Sequence, residues 1–155
     1  MSETLTIAPV QKSIRVACSV QLAFEVFTRD ATSWWPVDKH SVHGEDVREI
    51  VFEEHAGGTV YEVAADGERA HWGTVLAWEP PGRFVLSWEV NPALAATELE
   101  LRFSADGDGT RVDLEHRYWE RLGEEALAVR ESYESGWDVV LQPYRARLGT
   151  QPWIP

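Results

Sequence analysis

Alternating apolar and polar positions dominate the middle of the chain and predict a series of β-strands. The clearest case is residues 83–90, where every second residue from Phe84 to Val90 is apolar. One-sided alternation is typical of an antiparallel sheet with one buried face. Turn sequences such as Asp66-Gly67 separate the segments. The six strands predicted in this way lie at residues 47–54, 57–65, 69–79, 83–90, 97–104 and 110–118.

Helical spacing appears on both sides of this series. After a first strand at 13–18, Ser19 is placed to cap a helix over 20–28, and a second short helix is predicted from Arg29 to Trp35. Apolar residues from Glu124 to Leu148 recur at helical spacing and predict one long C-terminal helix. Pro143 lies inside it and predicts a bend near Leu141.

The element order predicts an α+β fold. An apolar sheet face has to be covered, and the long helix is the only predicted element large enough to cover it. A chain of 155 residues suits one domain, and we expect a single domain over 1–155 with a core at about 10–149. The curved antiparallel sheet would then wrap around the C-terminal helix, with the two short helices after the first strand closing one side.

Composition excludes several classes of partner. The formal net charge is −12, which opposes binding to nucleic acid and to anionic membrane surfaces. A single cysteine, the polar start of the chain and the lack of an 18-residue apolar run indicate a soluble, cytoplasmic protein. The eight tryptophans indicate either a thick aromatic core or an aromatic-lined cavity.

Five sequence segments, in this order, carry a family resemblance. They are FEVFTRDATSWWP, GGTVYEV, WGTVLAWEPPGRFVLSWEV, DGDGTRVDLEHR and SGWDVVLQPYRARL. Together they resemble the START-like (SRPBCC, helix-grip or Bet v 1-like) superfamily, and the order and spacing of the resemblance cover about Ile14 to Leu148. Within it the chain is similar to the family of activator of heat shock protein 90 ATPase homologue-like proteins. Pro143 departs from the leucine-rich pattern that usually follows Gly-Trp, here Gly136-Trp137, in the last helix.

The resemblance implies a cavity between sheet and helix that holds a small hydrophobic molecule. The leading hypothesis is a non-catalytic carrier or sensor. The alternatives are a cyclase- or hydrolase-like enzyme using the same cavity, and a co-chaperone-like regulator of a heat shock chaperone ATPase, with a link to the stress response. A chaperone contact and a homodimer are the protein partners left open by the family resemblance.

Strand parity and helix spacing select the candidate ligand-binding residues. His116 shares the inward face with Leu114. It could donate a hydrogen bond to a ligand or act as a general acid or base, or it could be a histidine whose hydrogen bonds are satisfied within the protein at the end of the sheet. Arg130 could pair with an acidic ligand group or reach solvent. The predicted set is Trp35, Trp72, Trp88, Leu101, Leu114, His116, Arg130, Tyr133 and Trp137.

The other candidate motifs do not indicate a metal site or a catalytic residue. His40 and His43 stand three apart in a loop-forming stretch, without a third suitably spaced ligand, and we expect no metal there. Cys18 ends an apolar strand and is interpreted as a packing residue. The sequence predicts no cofactor and assigns no catalytic residue. Tyr61 and His71 could reach the cavity, but their parity is ambiguous. Of the pair Trp34 and Trp35, we expect one ring in the core and the other, Trp35, at the cavity mouth.

Overall fold

The computed structural model describes residues 6–149 of the chain. Seven strands, two α-helices and three 3-10 helices succeed one another in the order predicted for a helix-grip fold. In chain order they are β1 Val10–Val16, α1 Val20–Phe27, 3-10 Ala31–Ser33, 3-10 Gly44–Asp46, β2 Val47–Phe52, β3 Thr59–Ala64, β4 Arg69–Glu79, β5 Arg83–Trp88, β6 Thr97–Asp106, β7 Gly109–Arg117, 3-10 Trp119–Glu125 and α2 Ala126–Gly149. None of the helices described between residues 6 and 149 has the length and apolar run needed to cross a bilayer.

The strands form one antiparallel sheet in the order β1-β7-β6-β5-β4-β3-β2. Neighbours in sequence pair as hairpins from β2 to β7, and β1 returns to pair with β7, placing Val10 opposite His116. This pairing explains why the first strand begins at Val10, three residues before the position predicted from its apolar pattern. Alternation correctly assigned the inner face: Phe84 and Leu86 are buried there.

Local signals set most helix boundaries. The Ser19 hydroxyl accepts a hydrogen bond from the Leu22 amide at 3.1 Å, so the predicted cap of α1 is confirmed. The second short helix is only the 3-10 turn Ala31–Ser33, shorter than predicted. The long helix begins at Ala126 instead of Glu124, because Glu124 and Glu125 still belong to the 3-10 helix, in which Gly123 adopts a positive φ of 62°. It continues through Pro143 to Gly149.

Aromatic rings fill the space between α1, the sheet and the C-terminal half of α2. Phe27 and Trp34 each place their ring close to that of Tyr144, with centroid distances of 5.0 Å in both cases. Phe24 lies 5.2 Å from Phe103. The Tyr144 hydroxyl donates to the Ala23 carbonyl at 2.8 Å, which ties α2 to α1. These rings therefore form part of the packed core.

Gly73 allows β4 and β5 to approach closely beside this core. A Cβ atom there would lie 2.1 Å from the Ser87 carbonyl oxygen of the neighbouring strand. We predict that Gly73→Ala separates the two strands and destabilises the fold by about 3 kcal/mol, measured by urea unfolding. Gly82→Ala is the control, because its Cβ would come no closer than 3.9 Å to any other atom. Equal stabilities for the two variants would contradict this packing.

Candidate ligand-binding cleft

A half-open cleft of about 310 Å³ lies where β4 and β5 face α2. Its walls combine indole rings from the sheet and helix with a polar loop that follows the first 3-10 helix. The lining residues are Trp35, Lys39, His40, Ser41, Trp72, Trp88, Val90, Ser132, Tyr133, Gly136, Trp137 and Val140. The volume lies near the lower end of the range for small-molecule sites, and four of the twelve lining residues are tryptophans.

The indole rings are held in place by contacts with one another. Trp35 packs 4.9 Å from Trp72, and Trp88 packs 5.6 Å from Trp137, measured between ring centroids. The Trp35 N–H donates to the His40 carbonyl at 2.9 Å, so this ring also anchors the loop at residues 39–41. Buried indole N–H groups need such partners, and their satisfaction fixes the orientation of the rings.

Behind the cleft, Glu62 lies fully buried on the inner face of β3. Its two carboxylate oxygens accept four hydrogen bonds: from the amides of Val42 and His43 at 2.7 Å each, from His43 Nδ1 at 2.8 Å, and from the Trp72 indole at 2.7 Å. Burial opposes ionisation and is the largest single influence, but the hydrogen bonds together outweigh it and lower the pKa of Glu62. The carboxylate thus connects the loop to Trp72.

His116 lies beneath the cleft with both ring nitrogens engaged. The Trp137 indole N–H donates to Nδ1 at 3.1 Å, and Nε2 lies 2.7 Å from the Thr97 hydroxyl oxygen. Because an indole can only donate, Nδ1 is unprotonated, and the proton of the neutral ring resides on Nε2. Burial lowers the pKa of His116 to about 3. This residue is therefore a neutral packing histidine, the second of the two roles considered from the sequence.

Tyr133 lines the cleft, and its hydroxyl bonds to another lining residue. Its oxygen accepts a hydrogen bond from the Trp88 indole at 2.9 Å. Burial raises the pKa of the hydroxyl and outweighs this hydrogen bond, so the group keeps its proton at neutral pH. Within residues 6–149 no acceptor for that proton lies within hydrogen-bonding distance. Tyr133 can therefore donate to a molecule in the cleft.

The structure brings together five of the nine residues selected from the sequence. Trp35, Trp72, Trp88, Tyr133 and Trp137 all line the cleft.

Four residues of the predicted set lie elsewhere. Leu101 and Leu114 are buried in β6 and β7, beyond the two strands that form the cleft wall, and His116 lies behind the indoles. The Arg130 guanidinium turns toward the start of β1 and donates to the carbonyls of Ala8 and Pro9 at 2.7 and 3.1 Å. None of these four residues lies in the lining of the cleft.

Two positions that were ambiguous in the sequence face outward. His71 is exposed and bonds Glu89 at 2.6 Å, and Tyr61 packs under the Arg69 guanidinium, 4.7 Å from its carbon. Trp34 packs in the core and Trp35 at the cleft, which agrees with the expected division of the pair.

Several residues of the site were missed in the sequence. The loop side chains Lys39, His40 and Ser41 follow the tryptophan pair directly, and that proximity was the available signal. Glu62 was missed although it stands between the buried residues Val60 and Ala64, at an inward position of β3. From the sequence, His43 was interpreted only as a loop residue, whereas in the structure it pairs with Glu62. Across residues 6–149, no group of three potential metal ligands converges.

Comparison with known proteins places the chain in one family. The model of the family described as Activator of Hsp90 ATPase homolog 1-like protein matches residues 17–148. No protein of curated function matches the sequence significantly. The helix-grip prediction is confirmed by solved structures that share the fold over most of the chain.

Three solved structures illustrate the range of relatives. An anthrahydroquino-Gama-pyrone synthase, Txn09, complexed with SUM, is 34% identical, covers 83% of this chain and 88% of its own, and superposes with a TM-score of 0.58. The self-sacrificing resistance protein CalC from Micromonospora echinospora is 26% identical, with coverages of 94% and 98% and a TM-score of 0.67. The Aha1 dimer from Colwellia psychrerythraea is 14% identical, with coverages of 93% and 98% and a TM-score of 0.68, a likeness of fold alone.

Replacing the buried carboxylate tests its role in building the cleft. In Glu62→Gln, an amide NH₂ would face two of the four donors, and we predict a loss of about 2–3 kcal/mol in the free energy of unfolding. Glu68→Gln is the matched control, because Glu68 is 69% exposed and lies 3.9 Å from the same His43 ring. Urea unfolding at pH 7 measures both. A cost below about 0.5 kcal/mol for Glu62→Gln, the scatter expected for surface changes, would contradict the assignment.

His116 predicts a specific dependence of stability on pH. In the unfolded chain the imidazole binds a proton near its ordinary pKa of 6.5, whereas the folded ring stays neutral down to about 3. The unfolded state therefore binds more protons in this window, so His116 favours folding fully above pH 6.5 and progressively less below it. The slope approaches its limit of about 1.4 kcal/mol per pH unit only well below pH 6.5, so the loss expected between about pH 7.5 and 5.5 is about 1.4 kcal/mol in total.

Urea unfolding at about pH 7.5, 6.5 and 5.5 measures this slope before most carboxylates titrate. His116→Gln should remove the contribution, whereas His55→Gln, a change at an exposed histidine, should retain it. An unchanged slope in His116→Gln would show that another group causes the dependence.

Proposed function

The chain belongs to the family of activator of Hsp90 ATPase homolog 1-like proteins, and within it we propose a binding protein for a small, planar, hydrophobic molecule. The observation that carries the proposal is the convergence of four indoles and one phenol on a cleft that remains open. Elsewhere the same sheet–helix space is filled by rings in mutual contact. Apolar walls with a few oriented polar groups are typical of ligand sites.

The cleft favours flat aromatic ligands over flexible aliphatic chains. Trp35, Trp72, Trp88 and Trp137 offer faces and edges for offset or edge-on ring contacts. Their positions are fixed by hydrogen bonds and ring packing before a ligand enters, so little side-chain entropy is lost on binding. Tyr133 supplies one oriented donor among these rings. A ligand would be bound mainly by ring burial and aligned by one hydrogen bond.

A second candidate function is catalysis in the same cleft, acting on the same class of molecule. The observation favouring it is the 34% identity with a protein described as a synthase. An enzyme here would rely on Tyr133 as a proton donor, because His116 is neutral with both nitrogens engaged and Arg130 lies outside the cleft. Native mass spectrometry of protein purified from its host identifies a co-purifying ligand, and incubation of that ligand with the protein distinguishes the two functions. A carrier returns the ligand with unchanged mass and chromatographic retention, whereas an enzyme converts it into a product that differs in at least one of them.

Four expectations from the sequence stay predictions: the co-chaperone function, homodimer formation, the stress-response link and the cytoplasmic location. The Aha1 dimer shares the fold at 14% identity, and that likeness bears on architecture alone.

Filling the cleft from α2 tests the proposal. Gly136 lies on its wall, where an added Cβ would approach the His40 ring at 3.7 Å. We predict that Gly136→Leu lowers the affinity for a neutral probe, 2-naphthamide, at least tenfold while preserving the helix. Ser135→Leu is the matched control. It adds the same side chain at the preceding position, which is exposed and lies outside the cleft lining, and it should leave the affinity unchanged.

The measurement is titration calorimetry combined with the indole N–H signals of ¹⁵N-labelled protein. Binding should shift the signals of the four cleft tryptophans and spare Trp78, which packs against Phe24 and Phe84 outside the lining. Absence of binding, or equal shifts at Trp78 and the cleft indoles, would overturn the proposal.

A further inference from the structure

The charge of the cleft lining differs from that of the chain as a whole. The chain contains 26 acidic and 14 basic residues, yet among the described residues no aspartate or glutamate lines the cleft. The polar side chains that do line it are Lys39, His40, Ser41, Ser132 and Tyr133. Each of them can donate a hydrogen bond, and one carries a permanent positive charge at neutral pH. The lining therefore offers donors and positive charge without a competing carboxylate.

Lys39 is one of two lysines in the chain, and the two are placed differently. Lys12 is bound by Glu134 and Asp138 at 3.2 and 3.1 Å. Lys39 is exposed at the cleft, and within residues 6–149 it forms no ion pair of 4.0 Å or less. An ammonium without a carboxylate partner is available to an anionic group brought by a ligand.

Tyr133 supplies a complementary donor within the cleft. Its oxygen is engaged by Trp88, which leaves the hydroxyl proton to be donated. Ser41 differs, because its hydroxyl already donates to the Val37 carbonyl at 2.5 Å. A ligand oxygen beside Tyr133 would therefore accept a hydrogen bond that no described protein group takes.

Glu62 is a buried negative charge near the cleft, but it does not cancel the positive charge and the donors of the lining. Glu62 lies behind Trp72 and outside the cleft lining, and four donors surround its carboxylate. These donors compensate its negative charge locally. Among the described residues that line the cleft, Lys39 is the one with a permanent charge at neutral pH.

We propose that the ligand of this cleft is an acidic aromatic molecule, a planar ring system that carries a carboxylate or another anionic oxygen group. The ring lies among the four indoles, and the anionic group faces Lys39 and the Tyr133 hydroxyl. This inference rests on the proposed function, because it specifies the ligand of the same cleft. Lys39 then determines specificity for the acid, whereas ring burial provides the affinity that acidic and neutral molecules share.

The test compares two probes of the same shape, 2-naphthoate and 2-naphthamide, by titration calorimetry at low ionic strength. We expect 2-naphthoate to bind about fivefold more tightly, the contribution of a partly exposed ion pair. Lys39→Gln should remove this difference by weakening 2-naphthoate alone. Added salt should have the same effect on the wild-type protein, because it screens exposed charges.

Arg29→Gln is the matched control for net charge. Arg29 is 63% exposed and pairs with Glu54, outside the cleft lining, so its removal should leave both affinities within about twofold. Both variants change exposed side chains, and urea unfolding checks that they fold.

Three outcomes separate the inference from the proposed function. Tighter binding of 2-naphthoate that depends on Lys39 supports the inference. Equal affinity of the two probes, or a preference that survives Lys39→Gln, overturns the inference and leaves the proposed function standing. Failure of both probes to bind overturns the two together.

Discussion

The hydrogen bonding of the buried carboxylate of Glu62 is the interaction on which the geometry of the cleft depends. A fully buried charge is costly unless donors surround it, and here four donors do so. Three of them come from the loop at Val42 and His43 and the fourth from Trp72 on the sheet. One side chain therefore sets the distance between the loop that carries Lys39 and an indole of the cleft wall. The cleft depends on this connection more than on any single apolar contact.

The second constraint is how aromatic rings divide the space between sheet and helix. On the side of α1, rings of Phe24, Phe27 and Tyr144 interlock and leave no cleft. On the side of the loop, the indoles pack against one another and also donate hydrogen bonds to fixed partners, and the cleft lies beside them. Trp137 contributes to both the wall and the core, since its N–H bonds the buried His116. Rigid walls of this kind favour a rigid, flat ligand.

Much of the fold could be predicted from the sequence because the sheet is buried on one face. Alternation from Phe84 to Trp88 assigned the correct side, and the helix-grip order followed from one long amphipathic helix. Boundaries were less accurate where local geometry decides them, as before α2, where the 3-10 helix Trp119–Glu125 continues to Glu125. Strand pairing with β7 likewise extended β1 toward its N-terminal end.

The site was predictable only in its aromatic part. Parity and helix spacing place a side chain on a face, but they do not show which neighbour it bonds. That is why Arg130 was assigned to the ligand, although the carbonyls of Ala8 and Pro9 hold it. Glu62 was overlooked for the same reason: its partners are 10 to 20 residues away in sequence and become neighbours only in the fold.

The central claim is that rigid indoles hold an open cleft that binds an aromatic acid. A crystal structure of the protein with 2-naphthoate tests it most directly. We expect the naphthalene ring to lie against the indoles that line the cleft, with the carboxylate toward Lys39 and Tyr133 and the Glu62 hydrogen bonds intact. A cleft closed by the indoles, or a naphthoate bound elsewhere on the surface, would contradict it.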